Sequence, residues 1–215
     1  MLMLALSTSG PIASACLLRD GVLQSFLQNE GGGTHSETIM PLIDRVLTSA
    51  GLAPRDIDLF AADVGPGSFT GVRIGVCASN AMAAANAKPV IGVSSLASLA
   101  YGRKGRACAL LDARNGNGYA ALFEDGMCTL PPSAVVIEDF LSTVPAGTLF
   151  VGEGAVLHAT RIQSRIPDSR VEEAALLADA VGKAAWESYQ NGMAERELLP
   201  LYLRPTQAER LYKER

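Results

Sequence analysis

Two stretches of this chain share one pattern of strands and turns, and this repeat limits the fold more than any other feature. Residues 3–21 align without a gap on residues 108–126. Each stretch has an apolar strand, a Gly-containing turn, a second strand with alternating apolar positions and an Asp-Gly turn, which is typical of a β-hairpin leading into a third strand. Duplication is favoured over chance similarity between apolar strands, because the spacing is equal across two turns. The identities are Leu6 with Leu111, Ala15 with Ala120, Leu17 with Leu122, Asp20 with Asp125, and Gly21 with Gly126.

The segment after the first repeat unit changes to helical spacing. Thr34 followed by Glu37 matches a capping box, Gly51 supplies the stop, and the interior Pro41 predicts a bend. The apolar positions recur at helical intervals, at Ile39, Leu42, Ile43, Val46, Leu47 and Ala50. A strand at 57–64, a second helix at about 70–87 and a strand at 89–93 are predicted next. This alternation of strand and helix predicts a parallel α/β layer.

Near the carboxyl end the sequence carries weaker structural signals. Ser169 followed by Glu172 matches a second capping box, which predicts a helix that runs through Trp186 and stops near Gly192. Residues 198–203 predict a closing strand, and residues 207–215 a solvated, mobile end.

Charge and cysteine content bear on binding class and compartment. The 215 residues carry a formal net charge of −4 and no basic stripe, so no autonomous nucleic-acid binding is predicted. Cys16, Cys77, Cys108 and Cys128 form no C-x-x-C pair, which favours buried free thiols in a reducing compartment. No Lys or Arg precedes Arg19, and no apolar segment approaches the length of a membrane span. The sequence therefore predicts a cytoplasmic protein without membrane contact.

The loop GPGSFTGVRIG, residues 65–75, is the densest run of small residues in the chain. It lacks the Lys of a P-loop, and Thr70 stands where a dinucleotide fingerprint needs its third glycine. The loop still leads into a helix amino terminus, where free N–H groups and the dipole favour an anion. We interpret it chiefly as a tight strand-to-helix connection. The weak candidates for an anion site are Gly67, Ser68, Thr70 and Arg73.

The second helix is apolar on nearly all sides. Gly71, Gly75, Ser79 and Ala83 recur every four residues and form a low ridge that permits close approach of a neighbour. A helix of this kind is buried on more than one side. The covering neighbour is either the first helix or a partner protein, and the sequence supports both equally.

Five motifs follow one another along the chain: THSETIMPLIDRVL, GPGSFTGVRIG, PVIGVSSLASLA, LLDARNGNGYAALF and LPLYLRP. In this order and spacing they resemble the TsaB family, also called YeaZ, over nearly the whole chain. The resemblance implies an α/β fold with two similar lobes of the actin-like, sugar-kinase and Hsp70 class (RNase H-like), in which mixed sheets are flanked by helices. We expect a first lobe at residues 1–103, a smaller second lobe at 104–205 and a tail at 206–215.

The resemblance also implies a role in making threonylcarbamoyl-adenosine (t6A) in tRNAs that read codons beginning with A. There TsaB is a non-catalytic partner that forms a heterodimer with the TsaD transferase, and the ATPase TsaE joins the pair. No cofactor of its own is expected, ATP and metal are expected on the partner proteins, and tRNA is met only through the complex. For the isolated chain, a homodimer through the same surface stays open. The interface is predicted on the two helices of the first lobe, at Ile39, Ile43, Val46, Gly71, Gly75, Ser79 and Met82.

The residues that could carry catalysis are few. The histidines are His35 and His158, and they form no H-x-x-x-H pair of the kind that holds metal in TsaD-like enzymes. Ser7 stands where many relatives keep an aspartate, and Asp112 is its repeat-matched position. No catalytic, cofactor-binding or metal residue is therefore predicted. An autonomous ATP-dependent small-molecule kinase or ATPase is the alternative, because the fold alone does not exclude it.

Arg73 lies in the first turn of the second helix, where the positive end of the helix dipole disfavours a cation. One account pairs it with Asp63, the nearest carboxylate in sequence. The other directs it toward an acidic residue or a phosphate at the junction with TsaD. The sequence favours the first account, because surface pairs are common.

Overall fold

Two five-stranded sheets with the same strand order form the body of the protein. The computed structural model describes residues 1–30 and 32–204. The first sheet has the order β3-β2-β1-β4-β5, and the second has the order β8-β7-β6-β9-β10. Strands of the first sheet are β1 Leu2–Ser7, β2 Ser14–Arg19, β3 Val22–Gln28, β4 Leu59–Gly65 and β5 Val90–Ser94. Those of the second are β6 Arg106–Asp112, β7 Asn117–Glu124, β8 Met127–Val136, β9 Leu149–Val151 and β10 Arg170–Glu172.

The predicted duplication is confirmed by the pairing of the strands. In each sheet three antiparallel strands come first, and two parallel strands follow on the other side of the first one. Both Asp-Gly turns have positive φ at their two central residues, 50° and 79° at Asp20 and Gly21, and 48° and 83° at Asp125 and Gly126. Such a two-residue turn matches the twist of the strands that it joins. The fold class predicted from the sequence is therefore confirmed.

Seven α-helices flank the sheets within the described residues. The first helix begins at the predicted capping box, where the Glu37 carboxylate accepts a hydrogen bond of 2.7 Å from the Thr34 N–H. It is followed by Gly51 at a φ of 67°, as a helix stop requires. The helices are α1 His35–Ser49, α2 Phe69–Ala85, α3 Ser95–Ala100, α4 Ile137–Leu141, α5 Glu153–Leu157, α6 Ala159–Arg165 and α7 Ala178–Gln190.

The first sheet is covered on both faces. Alternate side chains of β1 point to opposite sides, so that Leu4 and Leu6 pack with α1 and α2, while Met3 and Ala5 pack with α7. Both layers are therefore built from this chain alone.

The predicted boundary of the second lobe is wrong. We expected residues 104–205 to form one lobe, but α7 returns to the first sheet, where Ala178, Val181 and Ala185 pack against β1, β2 and β4. Gly182 permits the close approach, because a Cβ there would lie 2.5 Å from Leu18 Cδ1. The apolar stripe of α7 fits the open face of the first sheet, and the chain crosses between the lobes to reach it. The predicted tail at 206–215 lies outside the described residues.

Two further expectations near the carboxyl end are also wrong. Ser169 and Glu172 do not cap a helix, because residues Arg170–Glu172 form β10 and pair in parallel with β9. Residues 198–203 form no strand; instead the Leu201 N–H donates a hydrogen bond of 2.7 Å to the Val64 carbonyl as the segment crosses α2.

Candidate functional site

A cleft with a cavity of about 1010 Å³ separates the two lobes. One wall comes from the turn after β1 and the loop before α2. The other wall comes from the carboxyl end of β6, from α5 and from the segment that returns to the first lobe. Its polar and charged lining residues are Ser9, His35, Ser68, Asp112, Arg114, Tyr119, Glu153 and Glu173.

A buried carboxylate lies where β1 and β4 end beside this cleft. Asp63 has no solvent exposure, and its Oδ2 atom accepts hydrogen bonds from the Ser7 hydroxyl at 2.7 Å and from the Ser9 hydroxyl. The Thr8 N–H approaches Oδ1 at 3.5 Å. Burial raises the pKa of Asp63, whereas the hydrogen bonds from Ser9, Ser7 and Thr8 oppose that rise. Ser95 extends the network by donating to the Ser9 hydroxyl at 3.0 Å.

The same turn after β1 holds the amino terminus of α2. The Thr8 hydroxyl donates a hydrogen bond of 2.7 Å to the Gly71 carbonyl, and the Ser68 N–H donates one of 2.8 Å to the Ser9 carbonyl. A Cβ at Gly71 would overlap the Thr8 carbonyl oxygen, and a Cβ at Gly75 would lie 2.5 Å from the Thr8 hydroxyl. The glycines of the ridge therefore allow α2 to pack closely against its own sheet and the turn after β1.

This arrangement corrects six of the seven residues predicted at the partner interface. Gly71, Gly75 and Ser79 face the first sheet, and Ile39, Ile43 and Val46 are buried in the core beneath α1. A side chain that the chain itself covers is not available to a partner. Met82 is half-buried against the same core. The sequence predicted a helix buried on more than one side, whereas this chain covers only the side that faces its own sheet.

The exposed side of α2 carries a different set of residues, which we name the α2 outer face. It contains one charged side chain, Arg73, and is otherwise made of small, apolar or hydroxyl side chains. Met40 of α1, which is 51% exposed, adds an apolar side chain from the neighbouring helix. The α2 outer face consists of Thr70, Arg73, Cys77, Ala81, Ala84 and Ala85.

Arg73 does not pair with Asp63, so the account favoured by the sequence is wrong. Its Nε donates a hydrogen bond of 2.7 Å to the Tyr202 hydroxyl, and its guanidinium lies 4.0 Å from the centre of the Phe69 ring. Phe69 and Tyr202 stack at 4.5 Å. The aromatic faces stabilise the cation that the helix dipole disfavours. Tyr202 was missed in the sequence because 129 residues separate it from Arg73.

The proposed anion residues divide between two surfaces. Gly67 and Ser68 line the cleft, whereas Thr70 and Arg73 lie on the α2 outer face. The Ser68 hydroxyl caps α2 by accepting a hydrogen bond of 3.2 Å from the Gly71 N–H. The four residues therefore do not converge on one point.

The two histidines differ in their surroundings. His35 Nε2 lies 2.8 Å from the Gly10 carbonyl, whereas the buried His158 Nε2 makes no hydrogen bond with any described residue and lies 3.6 Å from Asp112 Oδ1. Asp112 accepts a hydrogen bond of 3.2 Å from the Arg114 N–H, which closes the turn at the end of β6. No group of three or more His, Cys, Asp or Glu side chains in the described ranges is arranged to hold a metal ion. None of the helices there combines the length and apolar character needed to span a bilayer.

The duplicated sheets, with a cleft between them, define a two-lobed protein of the actin-like, sugar-kinase and Hsp70 class. The solved activator of the 2-hydroxyisocaproyl-CoA dehydratase from Clostridium difficile aligns over 89% of this chain and 97% of its own, with a TM-score of 0.53 at 8% identity. At that identity the likeness shows the fold alone.

Comparisons with known proteins place the chain within one family of this class. The family model described as TsaD, tRNA N6-adenosine threonylcarbamoyltransferase, matches residues 25–148. The Bacillus subtilis tRNA threonylcarbamoyladenosine biosynthesis protein TsaB is 31% identical over 173 residues, which is 76% of each chain. The Escherichia coli protein of the same name is 36% identical over 129 residues, spanning 58% of this chain and 55% of that relative.

A solved structure of YeaZ from Pseudomonas aeruginosa aligns over 94% of this chain and 99% of its own, with a TM-score of 0.79 and 30% identity. The chain belongs to the TsaB family, also called YeaZ.

Proposed function

We propose that this protein acts in the biosynthesis of threonylcarbamoyl-adenosine in tRNA, as a non-catalytic partner of a TsaD-like transferase. Family membership supports the pathway, because the curated relatives are named for it. In this proposal the chain forms a heterodimer with the transferase, a TsaE-like ATPase joins the pair, and tRNA is bound only by the complex. ATP and metal belong to the partner proteins.

The α2 outer face is the observation that supports a partner surface. It extends over a helix of 17 residues and has Arg73 as its one charged side chain. Exposed helix faces of monomeric proteins are normally rich in charge, and a continuous surface of low charge is typical of an interaction site. Small side chains such as Ala81 and Ala84 permit a partner helix to pack closely. The proposed interface therefore stays on the two helices predicted from the sequence, but on their outer side.

Substitution on the α2 outer face tests this surface. Ala81→Arg should leave the thermal midpoint within about 2 °C of wild type, because the side chain is exposed. It should weaken copurification with the TsaD-like protein at least about tenfold, since a buried unpaired charge costs several kcal/mol. Ala146→Arg, at an exposed loop position in the second lobe, is the matched control. Equal yields of complex from wild type and Ala81→Arg would exclude this face.

The electrostatics of the cleft favour this proposal over an autonomous kinase or ATPase. Asp112, Glu153 and Glu173 line the cavity, and Arg114 is the arginine in the same lining. Three carboxylates would repel the phosphates of a nucleotide in the absence of a bound cation, and no group of three such side chains in the described ranges is arranged to hold one. Among the described residues that line this cavity there is no Lys to offset the repulsion.

Calorimetric titration of the isolated chain with magnesium-ATP separates the two functions. A kinase or ATPase of this fold should bind the nucleotide with a Kd in the micromolar to millimolar range, whereas the proposed partner protein should give no binding heat. The companion measurement is a reconstituted tRNA modification assay, in which leaving out this protein should abolish the product. ATP turnover that survives further purification would contradict the non-catalytic proposal.

A further inference from the structure

Asp63 is a fully buried carboxylate whose contacts are all with uncharged groups. The hydroxyls of Ser7 and Ser9 and the N–H of Thr8 surround its two oxygens. Across the described part of the chain, no Lys, Arg or His lies within ion-pair distance of it. Removing a carboxylate from water costs several kcal/mol, and hydrogen bonds to neutral donors offset only part of that cost. Because the buried Asp63 carboxylate contributes little to stability, we look for its role in positioning the elements around it.

The contacts of Asp63 connect three parts of the molecule. Ser7 ends β1, Thr8 and Ser9 form the turn after it, and two hydrogen bonds join this segment to the amino terminus of α2. The Ser7 hydroxyl also lies 3.2 Å from the carbonyl of Leu176, in the segment that returns from the second lobe. The carboxylate therefore sits where β1, α2 and the returning chain meet.

We propose that Asp63 is the positioning residue that sets the orientation of α2, by holding the end of β1 on which the amino terminus of α2 rests. Without the carboxylate, the hydroxyls of Ser7 and Ser9 lose their common acceptor, and the Thr8 contacts with Gly71 and Gly75 loosen. The effect on partner binding rests on the proposed function, whereas the effect on α2 does not.

The geometry also permits an exchange of roles between the two strands. Ser7 Oγ and Asp63 Oδ2 are 2.7 Å apart, at the ends of neighbouring parallel strands. A carboxylate supplied from position 7 and a hydroxyl supplied from position 63 would form the same pair with the same number of atoms. Asp63→Ser should therefore be rescued by Ser7→Asp, and Ser7→Asp alone should be destabilising because it buries two carboxylates in contact.

Hydrogen exchange of the full-length variants tests the inference directly. In Asp63→Ser, amide exchange in the first two turns of α2 should rise about tenfold, and the double variant should return it to within about threefold of wild type. Asp58→Ser is the matched control, because Asp58 lies just before the opposite end of β4 and also accepts an N–H from β1, that of Leu2 at 2.9 Å. It should leave exchange in α2 unchanged.

Affinity for the TsaD-like protein is the second measurement. We expect at least about a tenfold loss in Asp63→Ser, with recovery in the double variant and no change in the control. Unchanged exchange in Asp63→Ser, or a double variant as impaired as the single ones, would overturn the inference. If Asp63→Ser does not fold, Ser9→Ala removes one donor and should raise exchange in the same turns. If wild type does not bind the transferase, the proposed function fails while the exchange measurement still decides the role of Asp63.

Discussion

Replacing Gly71 by alanine is the change for which helix propensity and the observed packing predict effects of opposite sign on stability. Gly71 lies in the first turn of α2, so helix propensity alone predicts that alanine stabilises the protein by up to about 1 kcal/mol. The structure predicts the opposite sign, because the new Cβ would overlap the backbone oxygen of Thr8, which cannot rotate away. The hydrogen bond of 2.7 Å from the Thr8 hydroxyl to the Gly71 carbonyl would also be disturbed.

The expected size of the effect follows from these opposing contributions. Overpacking in a core typically costs about 1–3 kcal/mol, and a disturbed hydrogen bond about 1 kcal/mol. After allowance for propensity, Gly71→Ala should lower the free energy of unfolding by about 2 kcal/mol. Gly75→Ala should cost less, because its Cβ would meet the Thr8 hydroxyl at 2.5 Å, and this hydroxyl can rotate.

Urea unfolding followed by fluorescence measures this free energy. The single tryptophan, Trp186, lies in α7 against the first sheet and reports on the lobe concerned. With an m-value of about 3 kcal/mol/M, the midpoint of Gly71→Ala should fall by roughly 0.7 M. Ala84→Gly, on the α2 outer face, measures the propensity contribution by itself, at about 1 kcal/mol. A Gly71→Ala protein as stable as wild type would refute the packing of α2 on the end of β1.

Two further predictions concern pH and thiol chemistry. The Leu2 N–H lowers the pKa of Asp58, so its stabilisation is present above the unfolded pKa of about 4 and lost as pH falls through the folded pKa. Burial raises the pKa of Asp63, so its contribution has the opposite sign: stability declines as pH rises from about 4 toward the raised pKa. Urea midpoints against pH should therefore diverge from wild type in opposite directions for Asp58→Asn and Asp63→Asn, and parallel curves would contradict both assignments. A disulfide reagent should label two thiols in the native protein and four in urea, because burial raises the pKa of the enclosed pair; labelling of all four in the native state would contradict their burial. The exposed thiols are Cys77 and Cys128, and the buried ones are Cys16 and Cys108.

The exposure of two of these thiols shows that the burial of a cysteine could be predicted from its sequence neighbours only in part. We predicted buried cysteines from apolar neighbours, and this holds for Cys16 in β2 and Cys108 in β6, but not for Cys128, which lies in the largely exposed strand β8. Cys77 also has apolar neighbours, but it lies on the exposed side of a helix that is apolar nearly all round. Composition shows that such a helix is unusual without showing which side meets solvent.

Some features of the candidate site were also predictable from the sequence, and others were not. The loop before α2 was recognised from its glycines, and its strand-to-helix geometry is confirmed. Asp63 was considered only as a partner for Arg73, although a lone acid at the end of the apolar strand β4 was a signal of a buried role. Its actual partners are 54 to 56 residues away in sequence, at the end of β1. Matching the ends of the two predicted strands would have brought them together.

By itself the sequence determined the local elements and their duplication. Capping residues, turn glycines and apolar periodicity act within a few residues, so the α1 start, both Asp-Gly turns and the repeated hairpins were predictable from short stretches. Tertiary structure alone decided that the ridge of α2 faces its own sheet, that Tyr202 stacks with Phe69 beside Arg73, and that α7 returns to the first lobe. The physical reason is that periodicity indicates which side of an element avoids water. The surface that covers this side comes from residues far away in the chain, and it depends on how the shapes and apolar areas of the whole molecule fit together.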